Sequence, residues 1–193
     1  MLRRAYDWVL GWADHRYGGL ALLLLAFAES SVFPIPPDVL LMALALGKPG
    51  AAFRFALICS VGSVAGGLAG YLIGWLLMDG LGRPIIELYN AQAAYAEVEQ
   101  RFVAHGGWAV AIAGFTPIPY KVFTIAAGAT QLSLSSFVLA SVVSRSARFF
   151  LISGLIYYYG PTIKVFIDKY FNILTIVFTV LVLLGFVLLG WYG

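Results

Sequence analysis

The composition of this chain excludes a water-soluble protein. Of its 193 residues, 62% are hydrophobic and only 11% are charged, whereas soluble domains carry about 25% charged residues. The formal net charge is +3, and a single cysteine in a chain without low-complexity tracts excludes a disulfide scaffold and a disordered protein. We therefore expect one integral membrane domain over residues 1–193.

The first part of the chain predicts a surface helix followed by a broken hydrophobic segment. Residues 1–17 mix aromatic and charged side chains, which is typical of a helix at the membrane interface. Residues 19–46 are apolar but contain Pro34, Pro36 and Pro37, and proline cannot continue a helix because it lacks the backbone N–H. Each half is too short to span a bilayer, so we expect a re-entrant hairpin with these prolines at its tip.

A long uninterrupted helix comes next, and it carries a regular row of glycines. The segment 55–78 contains no charged residue. It is long enough to cross a bilayer, which needs about 20 apolar residues. The glycines recur every four residues, at Gly62, Gly66, Gly70 and Gly74. Because glycine has no side chain, another backbone can approach this face closely. A packed hairpin and a partner subunit are the alternatives for that backbone, and the hairpin is favoured.

The remaining segments repeat this order. Residues 83–105 mix apolar and charged side chains and predict a second interfacial helix. Residues 106–130 contain Pro117 and Pro119 and predict a second re-entrant hairpin with its tip at these prolines. Residues 134–159 and residues 170–193 are long enough to form transmembrane helices.

The two halves form an internal repeat. The segment Pro34 to Leu40 (PIPPDVL) matches Pro117 to Phe123 (PIPYKVF) without a gap, and each copy precedes a long helix. Broken hydrophobic segments in corresponding positions indicate a transport site between the halves. With both stretches as hairpins, the basic loops fall on one side, whereas full spans would place Lys48 and Arg54 outside, against the positive-inside rule. The predicted fold is an all-α membrane protein with an inverted repeat of hairpin plus transmembrane helix.

Five ionisable residues lie within the apolar segments: Glu29, Asp38, Lys121, Arg145 and Arg148. A charge at the bilayer centre costs roughly 2.5–3.5 kcal/mol, so each is a functional candidate. The alternatives are a structural ion pair and, above all for Lys121 and Arg145, snorkelling to the interface. Desolvation favours the neutral form of an acid, which makes Glu29 and Asp38 the predicted proton-responsive residues.

The bases of this set outnumber the acids, so the site favours an anion. Phosphate matches the arginine fork best, and Arg145 and Arg148 lie three residues apart, on one helix face. Asp38 and Lys121 occupy equivalent positions in the two repeats. We expect them to meet in one polar cavity shared with Arg148.

Other kinds of chemistry have no support in the sequence. The two histidines, His15 and His105, are isolated, and no ligand spacing predicts a metal ion or a cofactor. No nucleophile and base are arranged as in an enzyme. The basic residues are too few for nucleic acid and lie beside membrane segments.

The residues around both proline breaks resemble a known family. The segments Glu29 to Asp38 (ESSVFPIPPD) and Gly114 to Lys121 (GFTPIPYK) are similar to motifs of the DedA family, also called SNARE-associated or VTT-domain membrane proteins, and most similar to its YqaA-like branch. The resemblance implies two re-entrant hairpins in inverted repeats. It also implies movement of phospholipids or polyprenyl phosphate carriers across the bacterial inner membrane, often dependent on protons. The embedded acids of the first motif carry over to Glu29 and Asp38.

The second motif departs from the family pattern. Most relatives have an arginine beside the glycine that opens it and another after the proline. Here Phe115 follows Gly114, and Lys121 stands near the second place. Arg145 and Arg148 are the candidates to compensate for the missing guanidinium groups.

Three functions stay open at this level, and a lipid translocase or scramblase of the inner membrane leads. In that function Glu29 and Asp38 act as proton-responsive gates, while Lys121, Arg145 and Arg148 bind the phosphate-bearing head group. The expected partners are membrane lipids and protons, and a homo-oligomer is left open. The second function is a proton-coupled carrier of a small solute. The third is a non-transporting membrane assembly factor whose glycine face binds a partner.

Overall fold

The structure is a computed structural model that describes residues 17–31, 35–88, 92–116, 118–160 and 162. All regular secondary structure in these ranges is helical, without a strand, which confirms the predicted all-α class. The predicted C-terminal transmembrane helix at 170–193 lies outside the described residues. So does the predicted interfacial helix at 1–17, apart from Tyr17.

The described residues form a succession of α-helices joined by short connections. These helices are α1 Gly18–Ser31, α2 Asp38–Gly47, α3 Ala52–Leu77, α4 Arg83–Leu88, α5 Gln92–Phe115, α6 Tyr120–Ala129 and α7 Leu134–Gly160. One turn of 3-10 helix, Pro49–Ala51, leads into α3, and a π-helical turn, Met78–Gly82, joins α3 to α4. Proline suits the first position of such a helical start because its missing N–H would have no partner there.

Two of the described helices are long and apolar enough to cross a membrane. They are α7 and the stretch Pro49–Leu77, which includes α3. Their positions correspond to the predicted helices at 134–159 and 55–78. Helices α1 and α2 are apolar but have only 14 and 10 residues, fewer than the roughly 20 that a bilayer requires.

Both proline segments interrupt the helices, as their chemistry requires. Helix α1 ends at Ser31 and α2 begins at Asp38, while α5 ends at Phe115 and α6 begins at Tyr120. We call the intervening sequence segments, residues 32–37 and residues 116–119, the first break and the second break. Among the predicted tip prolines, Pro36, Pro37 and Pro119 lie in these breaks, whereas Pro34 and Pro117 fall outside the described residues. The re-entrant path of each pair of helices through a membrane stays a prediction.

One predicted boundary does not exist in the structure. The sequence predicts an interfacial helix over 83–105 and a separate hairpin from residue 106, but α5 runs from Gln92 to Phe115 without interruption. A glycine within a helix costs only about 1 kcal/mol relative to alanine. Gly106 is buried against the side chains of Phe102 and Leu132, so local packing offsets that cost.

Helix α3 is the central element, and its glycine face receives helices from both halves. Gly62 and Gly66 lie against the backbone carbonyls of Leu23 and Phe27 in α1. Gly74, further along the same face of α3, lies against the backbone of α6. A side chain at any of these positions would separate the helices. The face thus packs helices that flank the two proline breaks, whereas the predicted hairpin itself stays a prediction.

Helix α7 takes part in three buried apolar clusters, and two of them position its charged face. The first cluster combines α1, α2 and α3 with Phe149 of α7. The second combines α5, α6 and α7 around Tyr120 and Phe137. Because α7 is anchored in both clusters, the face between Phe137 and Phe149 is held at the junction of the two halves. That face carries Arg145 and Arg148.

Candidate functional site

Two acid–arginine pairs lie side by side on α7. The Nη2 atom of Arg145 is 3.0 Å from Oε2 of Glu29, and the Nη2 atom of Arg148 is 3.0 Å from Oδ2 of Asp38. Glu29 lies in the last turn of α1 and Asp38 is the first residue of α2. Four of the five ionisable residues selected from the sequence are thus brought together, and both ends of the first break contact α7.

The Glu29–Arg145 pair belongs to a closed ring of hydrogen bonds. Arg145 Nε donates to Ser63 Oγ at 2.5 Å, and Arg145 Nη2 donates to Glu29 Oε2. Ser30 Oγ donates to the same Glu29 oxygen at 3.1 Å and lies 2.7 Å from Ser63 Oγ. Because the single hydroxyl proton of Ser30 goes to Glu29, Ser63 is the donor in the contact between the two serines. The ring joins α1, α3 and α7.

Aromatic rings enclose the guanidinium of Arg145. Its Cζ lies 4.9 Å from the ring centroid of Tyr120 and 4.7 Å from that of Phe149. The Tyr120 hydroxyl donates to Ser141 Oγ at 2.6 Å, which holds the ring in place. A desolvated cation–π contact contributes about 2 kcal/mol, and only 4% of the Arg145 side chain is exposed. Snorkelling of Arg145, one alternative from the sequence, is therefore wrong.

The Asp38–Arg148 pair is bidentate and more open. Arg148 Nε donates to Asp38 Oδ1 and Nη2 donates to Oδ2, both at 3.0 Å. Two parallel N–H···O bonds form the geometry in which arginine binds either a carboxylate or a phosphate. The Arg148 side chain is 21% exposed. At the start of α2, the Asp38 charge is also favoured by the helix dipole.

Arg148 connects the first break to the second. Its Nη1 atom donates to the backbone carbonyl of Thr116 at 2.7 Å and to that of Phe115 at 3.3 Å. These carbonyls stand at the C-terminal end of α5, where the last C=O groups have no partner within the helix. One guanidinium therefore satisfies the end of α5 and neutralises the acid that begins α2.

The fifth predicted residue, Lys121, lies in the first turn of α6 with a partly buried side chain. The sequence predicts that Lys121 meets Asp38 in a cavity shared with Arg148, and both Asp38 oxygens accept hydrogen bonds from Arg148. Helix α7 thus supplies a counter-charge to Asp38. Both arginines of α7 are paired with acids, so the predicted surplus positive charge does not lie on them. The approach of Lys121 to this site stays a prediction.

The sequence did not predict three polar side chains as part of this site: Ser30, Ser63 and Tyr120. Ser30 and Tyr120 each stand next to a predicted charge within the two quoted motifs. Ser63 follows Gly62 in the glycine face, and a small polar residue within a row of close helix contacts is the signal that points to it. Their alignment with Arg145 depends on helix packing, which no local pattern expresses.

The polar atoms around these two pairs are oxygens and guanidinium nitrogens. Within the ranges that the structure describes, no group of three or more His, Cys, Asp or Glu side chains is placed to hold a metal ion. The cysteine of the chain, Cys59, is a buried free thiol in α3. The arrangement is suited to binding and exchanging anionic groups, with arginine as the donor and carboxylate as the resident acceptor.

Comparisons with known proteins agree on one group of relatives. A family model described as the VTT domain matches residues 33–158, which include Asp38 and both arginines but begin after Glu29. A Haemophilus influenzae protein with the name "Uncharacterized protein" is 40% identical over 150 residues, 78% of each chain. A Histophilus somni protein, named as a homologue of the uncharacterized protein HI0703, is 35% identical over 150 residues, again 78% of each chain. No solved structure matches this chain.

Proposed function

This chain belongs to the VTT domain family, the domain of the DedA membrane proteins, and we propose that it moves a phosphate-bearing lipid across the bacterial inner membrane. The family is generally linked to membrane transport and is not an enzyme family. The main support for this proposal is Arg148. Its planar guanidinium suits a bidentate contact with phosphate, and it contacts residues at both helix breaks. The phosphate-bearing lipid is a phospholipid or a polyprenyl phosphate carrier.

In this proposal both broken segments are re-entrant hairpins related by an inverted repeat, and α3 and α7 cross the membrane. Helices α1, α2 and α6 are too short to cross alone. Broken backbone is tolerated at membrane depth only where protein or a wet cavity covers it. Arg148 provides such cover, since it binds the carbonyl groups at the second break.

Cysteine labelling tests the first hairpin. Single cysteines at Ala13 and Ala51, in a Cys59→Ser background, flank α1 and α2 in the sequence. A membrane-impermeant maleimide should label both positions from the same side of sealed vesicles. Labelling from opposite sides would show that this segment spans the membrane and would contradict the hairpin.

The surroundings of Arg148 suit an amphiphilic anion. The polar pair is accompanied, within the two breaks or at their edges, by exposed apolar side chains: Ile35, Phe115 and Ile118. A phosphate at Arg148 would place its acyl or prenyl chains beside such groups and leave them in lipid. A small soluble anion would gain nothing from these apolar neighbours.

Glu29 and Asp38 are the proposed proton-responsive residues. Each is the counter-charge of one arginine inside apolar sequence. Protonation of either acid would leave a partly buried guanidinium without its counter-charge, which is costly. At Asp38, binding of an anion by Arg148 would offset this cost. Proton uptake and anion binding therefore favour each other, which gives lipid movement a dependence on protons.

Reconstitution in liposomes tests the function. We expect the purified protein to move a fluorescent phospholipid between leaflets, measured by its accessibility to a membrane-impermeant quencher. Arg148→Gln should abolish this movement, whereas Arg54→Gln, at an exposed arginine near the start of α3, should leave it intact. Counterflow of a small solute without lipid movement would support the carrier alternative. If neither lipid nor solute moves, the assembly-factor alternative is favoured. Either of these two outcomes overturns the proposal.

A further inference from the structure

We propose that Asp38 is a built-in occupant of the phosphate site, displaced when a phosphate group binds Arg148, whereas the Glu29–Arg145 pair stays closed. This inference rests on the proposed function and deepens it, because it assigns different roles to the two pairs. The ligand class is any phosphate group with two free oxygens for a bidentate contact. A lipid head group and free phosphate share that chemistry.

The two arginines differ in access. Arg145 is 4% exposed and Arg148 is 21% exposed. The faces of the Arg145 guanidinium are covered by Tyr120 and Phe149, and its Nε–H is already given to Ser63. A ligand therefore has no free approach to Arg145, but it can approach the edge of Arg148.

Arg148 would keep its orientation after Asp38 leaves. Its contacts with Asp38 use Nε and Nη2, while its contacts with the second break use Nη1. The carbonyls of Thr116 and Phe115 therefore hold the guanidinium independently of the carboxylate. The Nε and Nη2 edge stays aimed at the place where Asp38 had been, and a preorganised donor loses less entropy when a ligand binds.

The displaced carboxylate has another favourable place nearby. Asp38 is the first residue of α2, whose initial N–H groups have no partner within the helix. Pro37 precedes it and provides no side-chain cap. The carboxylate can turn from Arg148 toward these N–H groups, where the helix dipole also favours its charge. Glu29 has no such alternative, because it lies in the last turn of α1, where the dipole disfavours an acid.

The exchange also keeps Arg148 paired with an anion. A phosphate group replaces one bidentate anion by another, so the guanidinium is neutralised before and after the step. No covalent bond changes. Opening the Glu29–Arg145 pair would instead break a four-member ring of hydrogen bonds and expose a guanidinium that two aromatic rings cover.

Binding measurements on Asp38→Asn test the exchange. The full-length protein in detergent is titrated with a fluorescent short-chain phosphatidic acid and, separately, with inorganic phosphate. Removing the competing carboxylate should tighten binding of the lipid probe by about tenfold, equivalent to about 1.4 kcal/mol. Adding Arg148→Gln to this variant should abolish the gain. Glu29→Gln is the matched control and should give no gain.

The outcomes separate the sources of the phosphate and the two proposals. A gain with both probes supports a site that recognises the phosphate itself, and a gain with the lipid alone supports a site that also requires the acyl chains. Unchanged or weaker binding of both probes by folded Asp38→Asn overturns the exchange, even where liposomes show lipid movement. A gain without any lipid movement would overturn the proposed function and leave the exchange standing. If Asp38→Asn fails to fold, Asp38→Ser, whose hydroxyl can still accept from the free N–H groups at the start of α2, is measured with the same criteria.

Discussion

Arg148 and Asp38 are joined by two hydrogen bonds of 3.0 Å although 110 residues separate them in the chain. The contact links α7 of the second half to the helix that follows the first break. The same guanidinium binds the carbonyl of Thr116 in the second break. A single side chain thus contacts both breaks, and its loss should affect both.

A double-mutant cycle should show that Asp38 and Arg148 are energetically coupled. Asp38→Asn and Arg148→Gln each remove one partner of the same pair, so the double variant should lose less than the sum of the single losses. The expected coupling is about 0.5–3 kcal/mol in the free energy of unfolding, measured by denaturant titration in detergent. The corresponding cycle of Asp38→Asn with Arg54→Gln is the control and should be additive.

The same method tests the predicted meeting of Asp38 and Lys121. Charge reversal at either residue alone should damage lipid movement, and exchanging the two residues should recover part of it. Their expected coupling also lies within about 0.5–3 kcal/mol. Strictly additive losses would contradict a shared cavity. The predicted anion site would then consist of the two arginines without Lys121.

Glu29→Ala should destabilise the protein strongly. It leaves the buried Arg145 without its counter-charge and removes one member of the hydrogen-bonded ring. Breaking a buried pair in this way typically costs about 3–5 kcal/mol. Glu87→Ala, at an exposed position in α4, should change the free energy of unfolding by no more than about 0.5 kcal/mol. Equal effects in the two variants would contradict a structural role for the enclosed pair.

Gly66→Ala should separate α1 from α3. A Cβ at this position would fall on the backbone carbonyl of Phe27, which cannot move without shifting the whole helix. Such overpacking typically costs about 1–3 kcal/mol. Gly154→Ala in α7 is the control: its nearest neighbour would be Phe53 Cε1 at 3.9 Å, an ordinary contact. That variant should be neutral or more stable by up to about 1 kcal/mol, because alanine favours the helix.

Gln131→Gly should stabilise the turn between α6 and α7. Gln131 has φ 52°, a left-handed conformation that costs a residue with a side chain about 1–2 kcal/mol. The larger entropy of glycine in the unfolded chain offsets part of the benefit, so we expect a gain of about 0.5–1 kcal/mol. Gln100→Gly, at an exposed helical position in α5, should lose about 1 kcal/mol. A loss in both variants would show that the backbone at Gln131 carries no such cost.

The sequence by itself determined the all-helical class, the two long apolar helices and the place of the two breaks between the described helices. These features follow from local chemistry: an apolar composition requires a lipid-embedded chain, and proline stops a helix wherever it stands. The glycine row likewise predicted a close helix contact, because spacing along one helix decides which residues share a face. The end of the interfacial segment at residue 105 could not be predicted, since packing around Gly106 decides whether the helix continues.

Only the tertiary structure decided which charges form pairs. The repeat pattern predicted a cavity shared by Asp38, Lys121 and Arg148. The structure shows that α7 lies beside both ends of the first break and brings Arg145 to Glu29 and Arg148 to Asp38. Ion pairing depends on distances between elements that are far apart in the chain. Those distances follow from the glycine contacts of α3 and from the apolar clusters that anchor α7. The sequence lists the charged groups, whereas packing decides their partners, because Coulomb energy depends on separation in space and not along the chain.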